Sequence, residues 1–204
     1  SYLIPAVMMI IIFQTLLMVI GMVTGEEYSS DGIRTYAPFG HTWAAAIRIV
    51  AGKAFVYCGL YAIFSFFLLG LLPYFFSIPN IGNGLYIVLL MIPYLIATSF
   101  LGLAASRYFT DSEAPLLMIA FFSVGLIFLS GVSYPMELMP WYWKAAHYIL
   151  PAAPATLAFV QLNSMGASMA DIRPEYITLW IQVLVYFILS IWVYQKKLQK
   201  SQLR

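Results

Sequence analysis

The chain has 204 residues, of which 63% are hydrophobic and only 9% are charged. A soluble domain carries about 25% charged residues, so the composition excludes an ordinary soluble protein and predicts an integral membrane protein. The single cysteine, Cys58, excludes a disulfide framework and a thiolate metal site. The net charge of +2 carries no information about nucleic acid, and we expect no nucleic-acid partner.

Five apolar runs are long enough to cross a bilayer as helices, which takes roughly 20 residues each. They are predicted at residues 3–23, 54–72, 85–105, 115–133 and 176–194. Pro93 lies inside the third run, where it predicts a kink. The expected fold class is therefore all-α, a polytopic membrane protein with five transmembrane helices.

The polar segment between the first two runs, residues 25–52, mixes acids at its start, bases further on and aromatic rings between them. Such a mixture can pack its rings into a groove and pair its charges at the rim of a protein interface. Residues 44–50 are compatible with a short amphipathic helix leading into the next run. The alternative is a solvated loop whose acids merely follow the first span. The residues expected to couple to a partner protein are Glu26, Glu27, Arg34, Tyr36, Phe39 and Trp43.

The stretch after the fourth run, residues 130–154, is divided into short pieces by glycine and proline. Pro140 suits the first turn of a helix, and Leu150 precedes a proline and is therefore biased away from helical ψ. These signals predict a helix over residues 140–149, which is too short to cross a bilayer. Its dense Trp and Tyr residues favour the headgroup level of a membrane.

A second short helix is predicted over residues 154–165 and ends at Gly166. The two helices together predict a re-entrant helical hairpin on the outer face, residues 134–166. The alternative is an ordinary interfacial loop with aromatic anchors. The residues expected to form the external gate are Tyr134, Pro135, Met139, Pro140, Trp141, Trp143 and Tyr148.

The basic residues predict the orientation. Eight fall on one set of connections and only two, Lys144 and Arg173, on the other; the eight are Arg34, Arg48, Lys53, Arg107, Lys196, Lys197, Lys200 and Arg204. Because cytoplasmic loops carry the excess of Lys and Arg, residues 25–52, residues 106–114 and the C-terminus are predicted to be cytoplasmic. Five spans then place Ser1 outside, which suggests that at least one upstream span is missing.

The sequence offers no catalytic or metal-binding motif. It has no HExxH, no GxSxG and no phosphate loop, since Gly52-Lys53 is followed by Ala54. No predicted span carries a charge near its middle, which argues against a secondary carrier, because such carriers usually need intramembrane ionisable groups. The missing nucleophile–base set argues likewise against a membrane-embedded enzyme. If transport here is driven by ATP, another chain must hydrolyse it.

A family resemblance covers nearly the whole chain in span order. The sequence SGVSYPMELMP, residues 130–140, resembles the SGxxxPxxxMP pattern of ABC-2 type transporter permeases. The aromatic triplet 141–143, the pair Leu150-Pro151 and residues 163–167 fit the same pattern. The chain looks most similar to the bacterial drug-exporter branch.

The resemblance implies a six-span permease with an extracellular domain after its first span, of which this chain matches spans two to six. It implies the bacterial inner membrane, a dimer with a second copy or a paralogue, contact with membrane lipid, and a separate ATPase subunit that uses the ATP, so that this chain binds no cofactor. Glu26, Glu27 and Gly32 echo the family's coupling motif, whereas residues 29–31 depart from it. A charge-free bundle suits an amphipathic or lipid-like substrate, and it suits inert packing equally well.

Overall fold

The computed structural model describes residues 3–29, 42–76, 82–106, 108, 125–132 and 139–200. Within these ranges the regular secondary structure is helical, without a strand. The helices are α1 (Leu3–Ser29), α2 (Trp43–Phe66), α3 (Leu72–Phe75), α4 (Gly84–Ala105), α5 (residues 125–129), α6 (Trp141–Ile149), α7 (Ala152–Met165) and α8 (Arg173–Lys200). A π-helical turn, Phe67–Leu71, joins α2 to α3.

Four helical segments are long and apolar enough to cross a bilayer: Leu3–Glu27, Trp43–Phe75, Gly84–Ala105 and Arg173–Gln199. The pair α6 and α7, bent by 87° at the break between them, is a fifth apolar element. The prediction of an all-α polytopic membrane protein is therefore confirmed, with four or five spans among the described residues. Most of the predicted fourth span, residues 115–133, lies outside the described residues.

The first two helices are longer than the apolar runs predict. Thr42 begins α2, because its side chain accepts a hydrogen bond from the backbone N–H of Ala45 at 3.3 Å. The helix then runs through the alanine-rich residues 43–46 without a break, and α1 likewise continues to Ser29. The segment predicted as a loop, residues 25–52, is therefore helical at residues 25–29 and 43–52. The reason is that a fall in hydropathy does not by itself end a helix.

Helix α4 is the centre of the bundle and contacts α1, α2, α7 and α8. At one point α1 lies so close that a Cβ on Gly102 would meet Ile20 Cδ1 at 2.9 Å. At another, the buried Tyr94 hydroxyl donates to the carbonyl of Met9 at 2.7 Å. Small residues and side-chain-to-backbone hydrogen bonds are the usual means of joining helices in lipid. Helix α4 continues through Pro93 to Ala105.

The two short helices predicted after the fourth run are confirmed. Pro140 immediately precedes α6, and the chain turns at Leu150, whose backbone is extended at ψ 121°. Gly166 ends α7 with φ 67°, a left-handed conformation that favours glycine. The backbone N–H of Ala167 also donates to the carbonyl of Gln161 at 3.1 Å, which closes the last turn of α7. The re-entrant placement of the pair stays a prediction.

Candidate functional site

Polar side chains from four helices meet at one end of the bundle. The Lys53 Nζ of α2 lies 2.7 Å from Glu27 Oε1 of α1 and donates to the Tyr194 hydroxyl of α8 at 3.2 Å. One turn further along α8, Lys197 Nζ donates to the Ser106 hydroxyl and carbonyl, just beyond α4, at 2.9 and 3.2 Å. We call these five residues, Glu27, Lys53, Ser106, Tyr194 and Lys197, the helix-end cluster.

The helix-end cluster is largely shielded from solvent. The Lys53 and Glu27 side chains are only 14% and 24% exposed. Both ammonium groups also lie near the Tyr194 ring, with Lys53 Nζ 5.3 Å and Lys197 Nζ 5.1 Å from its centroid. The cluster therefore fixes the end of α1, the first half of α2 and the far ends of α4 and α8 against one another.

The predicted coupling residues lie partly at this same end. Glu26 and Glu27 occupy the end of α1, inside the helix and not in a loop. Trp43 is the first residue of α2, with 56% of its surface exposed. The other predicted coupling residues, Arg34, Tyr36 and Phe39, lie outside the described residues.

The predicted gate residues lie around α6. Met139 is buried, whereas Trp141, Trp143 and Tyr148 are exposed by 81%, 41% and 52%. Met139, Pro140 and Trp143 line a cavity of about 340 Å³ together with Phe128 of α5. Three of the seven predicted gate residues thus share one cavity. Tyr134 and Pro135 lie outside the described residues.

Helix α8 holds the last turn of α6 through two side chains that the sequence analysis did not single out. The Gln182 amide donates to the Tyr148 carbonyl at 2.7 Å, and the Tyr186 hydroxyl donates to the Ile149 carbonyl. The last carbonyls of any helix have no partner within it, and an unsatisfied carbonyl in an apolar environment is costly. Gln182 and Tyr186 are four residues apart and so project from one face of α8.

A second fixed point of α6 is His147, which is 1% exposed. Its Nδ1 lies 2.8 Å from the carbonyl of Leu129 at the end of α5, where the Nδ1–H tautomer donates. The sequence analysis did not single out this histidine, which has no second metal ligand at a suitable spacing. In the described residues it is instead a link between α5 and α6, and those residues contain no group of three or more potential metal ligands.

The connection between α7 and α8 is held by one aspartate. The backbone N–H and the hydroxyl of Ser168 both donate to Asp171 Oδ2, each at 2.8 Å. These hydrogen bonds favour the charged carboxylate and lower the pKa of Asp171 below its usual value. The turn therefore keeps its hydrogen bonds at any pH near neutrality.

Comparison with known families adds one match. The family model described as ABC-2 family transporter protein matches residues 1–192, which is nearly the entire chain. Searches among curated proteins and among solved structures found no match. The family match agrees with the resemblance carried by residues 130–140.

Proposed function

Because this chain belongs to the ABC-2 transporter family, we propose that it is the permease subunit of an ATP-driven exporter of the bacterial inner membrane. Permeases of this family are transport components that are not themselves catalytic and generally act with an ABC ATPase subunit. In our proposal a separate ATPase chain hydrolyses the ATP, and a second permease copy or paralogue completes the translocation path.

The observation that carries the proposal beyond the family is the position of the helix-end cluster. It joins the end of α1 to the first half of α2, the two helices on either side of the segment predicted to receive the ATPase. A partner shifts a conformational equilibrium only by contacting its two states differently. If the ATPase displaces residues 26–43, the displacement is transmitted to α8, because Lys53 of α2 contacts both Glu27 of α1 and Tyr194 of α8.

Helix α8 also supports the re-entrant placement of α6 and α7. Gln182 and Tyr186 lie nine and thirteen residues after Arg173, or roughly 14 and 20 Å along the helix axis. The apolar part of α8 begins within its first turns. If that part spans the bilayer, as we propose, the junction between α6 and α7 is level with the hydrocarbon region. Proline-broken backbone at that depth needs partners from the protein, and α8 provides them.

The proposed coupling is tested by a Tyr36→Ala, Phe39→Ala variant, which removes two rings from the segment that joins α1 to α2. We expect ATPase association to weaken and ATP hydrolysis to continue without export, while expression and insertion persist. Truncation after Leu198, which removes the basic residues Lys200 and Arg204 and keeps Lys197 of the helix-end cluster, is the control for a merely electrostatic contact and should do less. Cross-links from the ATPase that map to the C-terminal tail or to residues 106–114, and never to 25–52, would refute this assignment.

The proposed role of α6 and α7 is tested by Gln182→Leu combined with Tyr186→Phe. Membrane hydrogen bonds contribute about 0.6 kcal/mol each on average, so the bundle should remain folded while the last turn of α6 loosens. We expect faster amide exchange at residues 149–153 and impaired export with normal ATPase association. Leu184→Ala, at an exposed site on the same helix, is the matched control. Unchanged exchange and export in the double variant would contradict the proposed gate.

The rival function is a secondary carrier, and it is separated from the exporter by the energy source. Membrane vesicles that contain this chain and lack its ATPase should not take up the exported substrate when a proton or sodium gradient is imposed. Accumulation in such vesicles would exclude our proposal in favour of the carrier.

A further inference from the structure

One side of α8 forms an apolar stripe that the rest of the chain leaves exposed. Its residues recur every three or four positions, which is the spacing of a single helix face. They include Ile177, Ile181, Leu184, Ile188 and Trp192, which are 40–66% exposed. Because α8 is long and apolar enough to cross a bilayer, we expect this stripe to contact acyl chains and its two ends to reach the headgroups.

Each end of the stripe carries a pair of side chains one helical turn apart, and the two pairs differ in charge. At the start of α8, the rings of Tyr176 and Trp180 lie 6.4 Å apart in an edge-to-face arrangement. At its end, Lys196 Nζ lies 3.7 Å from the centroid of the Trp192 ring. Tyr176 and Lys196 are roughly 30 Å apart along the helix axis, which matches the thickness of the hydrocarbon core.

The ammonium group of Lys196 is directed back toward the apolar stripe. Side chains of a helix lean toward its N-terminus, and the contact with a ring four positions earlier shows that Lys196 follows this direction. Lysines at a membrane border usually extend the other way, into water. Lys196 instead holds its charge at the edge of the hydrocarbon region, where a charge is costly unless an anion pairs with it.

The described residues provide no carboxylate within ion-pair distance of Lys196 Nζ. The acidic residue of α8, Glu175, lies at the opposite end of the helix. At this end of the bundle Glu27 pairs with Lys53, and Lys197 is held in the helix-end cluster on another side of α8. The three N–H groups of the Lys196 ammonium are therefore available to an acceptor from outside the chain.

Charge complementarity identifies this acceptor as an acidic phospholipid. The first turn of α8 carries one base and one acid, Arg173 and Glu175, whereas its last turn carries bases only. A lipid phosphate supplies both a negative charge and oxygen acceptors at the headgroup level, and its acyl chains continue along the apolar stripe. A soluble anion has no such chains and gains nothing from the stripe. A zwitterionic lipid carries its own cation beside the phosphate and needs the lysine less.

We propose that Trp192 and Lys196 bind the phosphate of an acidic phospholipid. The ammonium group donates to the phosphate oxygens, and the Trp192 ring holds the lysine in place and contacts the acyl chains. The site requires only that α8 crosses the bilayer. It does not depend on the proposed ATP coupling or on which leaflet this end of α8 reaches.

The test follows the fluorescence of Trp192 in nanodiscs made of equal parts phosphatidylcholine and phosphatidylglycerol, without an ATPase. The other tryptophans can be replaced by Phe because all of them are exposed; they are Trp43, Trp141, Trp143 and Trp180. In parallel samples either one lipid or the other carries brominated acyl chains, which quench nearby indoles. We expect brominated phosphatidylglycerol to quench Trp192 about two- to fivefold more strongly than brominated phosphatidylcholine.

Trp180 is the matched control, because it is also 40% exposed on the same helix but lies beside Tyr176 and not beside a lysine. A chain that keeps Trp180 as its only indole should be quenched equally by the two lipids. In the Trp192 chain, Lys196→Gln should remove the preference for phosphatidylglycerol and Lys196→Arg should keep it. Arg48→Gln removes an exposed base at the same end of the bundle and should leave the preference unchanged.

Four results would overturn the proposal. Equal quenching of Trp192 by both lipids would show that the site does not select acidic lipid. An equal loss of preference in Arg48→Gln would show only diffuse attraction to a basic surface. Absence of quenching by either lipid would mean that a second copy of the chain covers the stripe. Weaker ATPase association in Lys196→Gln, without any lipid preference, would assign the lysine to an acidic surface of the partner protein.

Discussion

The ion pair between Lys53 and Glu27 gives the sharpest prediction about stability. Replacing Lys53 by Met removes the ammonium group that pairs with the partly buried Glu27 carboxylate. Breaking a fully buried pair at one partner costs roughly 3–5 kcal/mol. Since the two side chains are 14% and 24% exposed, water relieves part of this cost, and we expect a loss of about 2–3 kcal/mol for Lys53→Met.

The double variant Glu27→Gln, Lys53→Met distinguishes the ion pair from loss of packing. It removes both charges and should lie within about 1 kcal/mol of the unaltered chain, because neutral replacement of a buried pair is often tolerated. Tyr194→Phe, which removes only the neutral partner of Lys53, is the control and should cost about 0.5 kcal/mol. Reversible unfolding in mixed micelles, followed by tryptophan fluorescence, measures the free energies of unfolding of the unaltered chain, of the single variants Glu27→Gln and Lys53→Met, of the double variant and of the Tyr194→Phe control. Strict additivity of the two single changes would refute a coupled pair.

Three further predictions concern topology, the gate and the helix contact. With the native cysteine replaced, Ala170→Cys should be labelled only from outside and Gln199→Cys only from the cytoplasm. Labelling of both cysteines from the same side would show that the predicted topology is wrong. Trp141→Ala with Trp143→Ala should impair export while the ATPase stays bound, and normal transport by this variant would exclude an anchoring role. Gly102→Ala places a Cβ against Ile20 of α1 and should lower the free energy of unfolding by about 1 kcal/mol, although alanine favours helix. A gain in stability would mean that α1 and α4 can move apart at this point without cost.

The sequence predicts those features that depend on neighbouring residues. The apolar runs predict the long helices because the thickness of the bilayer fixes their length. Pro140 predicts the start of α6 and Gly166 the end of α7, because the backbone preferences of proline and glycine are local. The position where α1 ends was missed because an apolar run marks the membrane and not the helix, whereas the helix predicted over residues 44–50 is the first part of α2. The π-helical turn, Phe67–Leu71, has no recognisable sequence signal.

The contacts of the candidate site depend on residues far apart in the chain, and most could not be predicted. Lys53 meets Glu27 across 26 positions and Tyr194 across 141, and no local pattern specifies such distances. A partial signal existed for Gln182 and Tyr186, which are polar, four residues apart and within an otherwise apolar run. Their spacing indicates a shared helix face, but only the fold shows that this face meets the end of α6.

Helix α8 connects the two ends of the candidate site. It contacts the helix-end cluster through Tyr194 and Lys197 and the last turn of α6 through Gln182 and Tyr186, with Tyr186 and Tyr194 roughly 12 Å apart along the axis. Hydrogen bonds between membrane helices contribute about 0.6 kcal/mol each on average, so the contacts at the two ends of this segment are of similar strength. A movement of α8 that breaks the contacts at one end therefore also strains those at the other, which is why the two ends should respond to each other's substitutions.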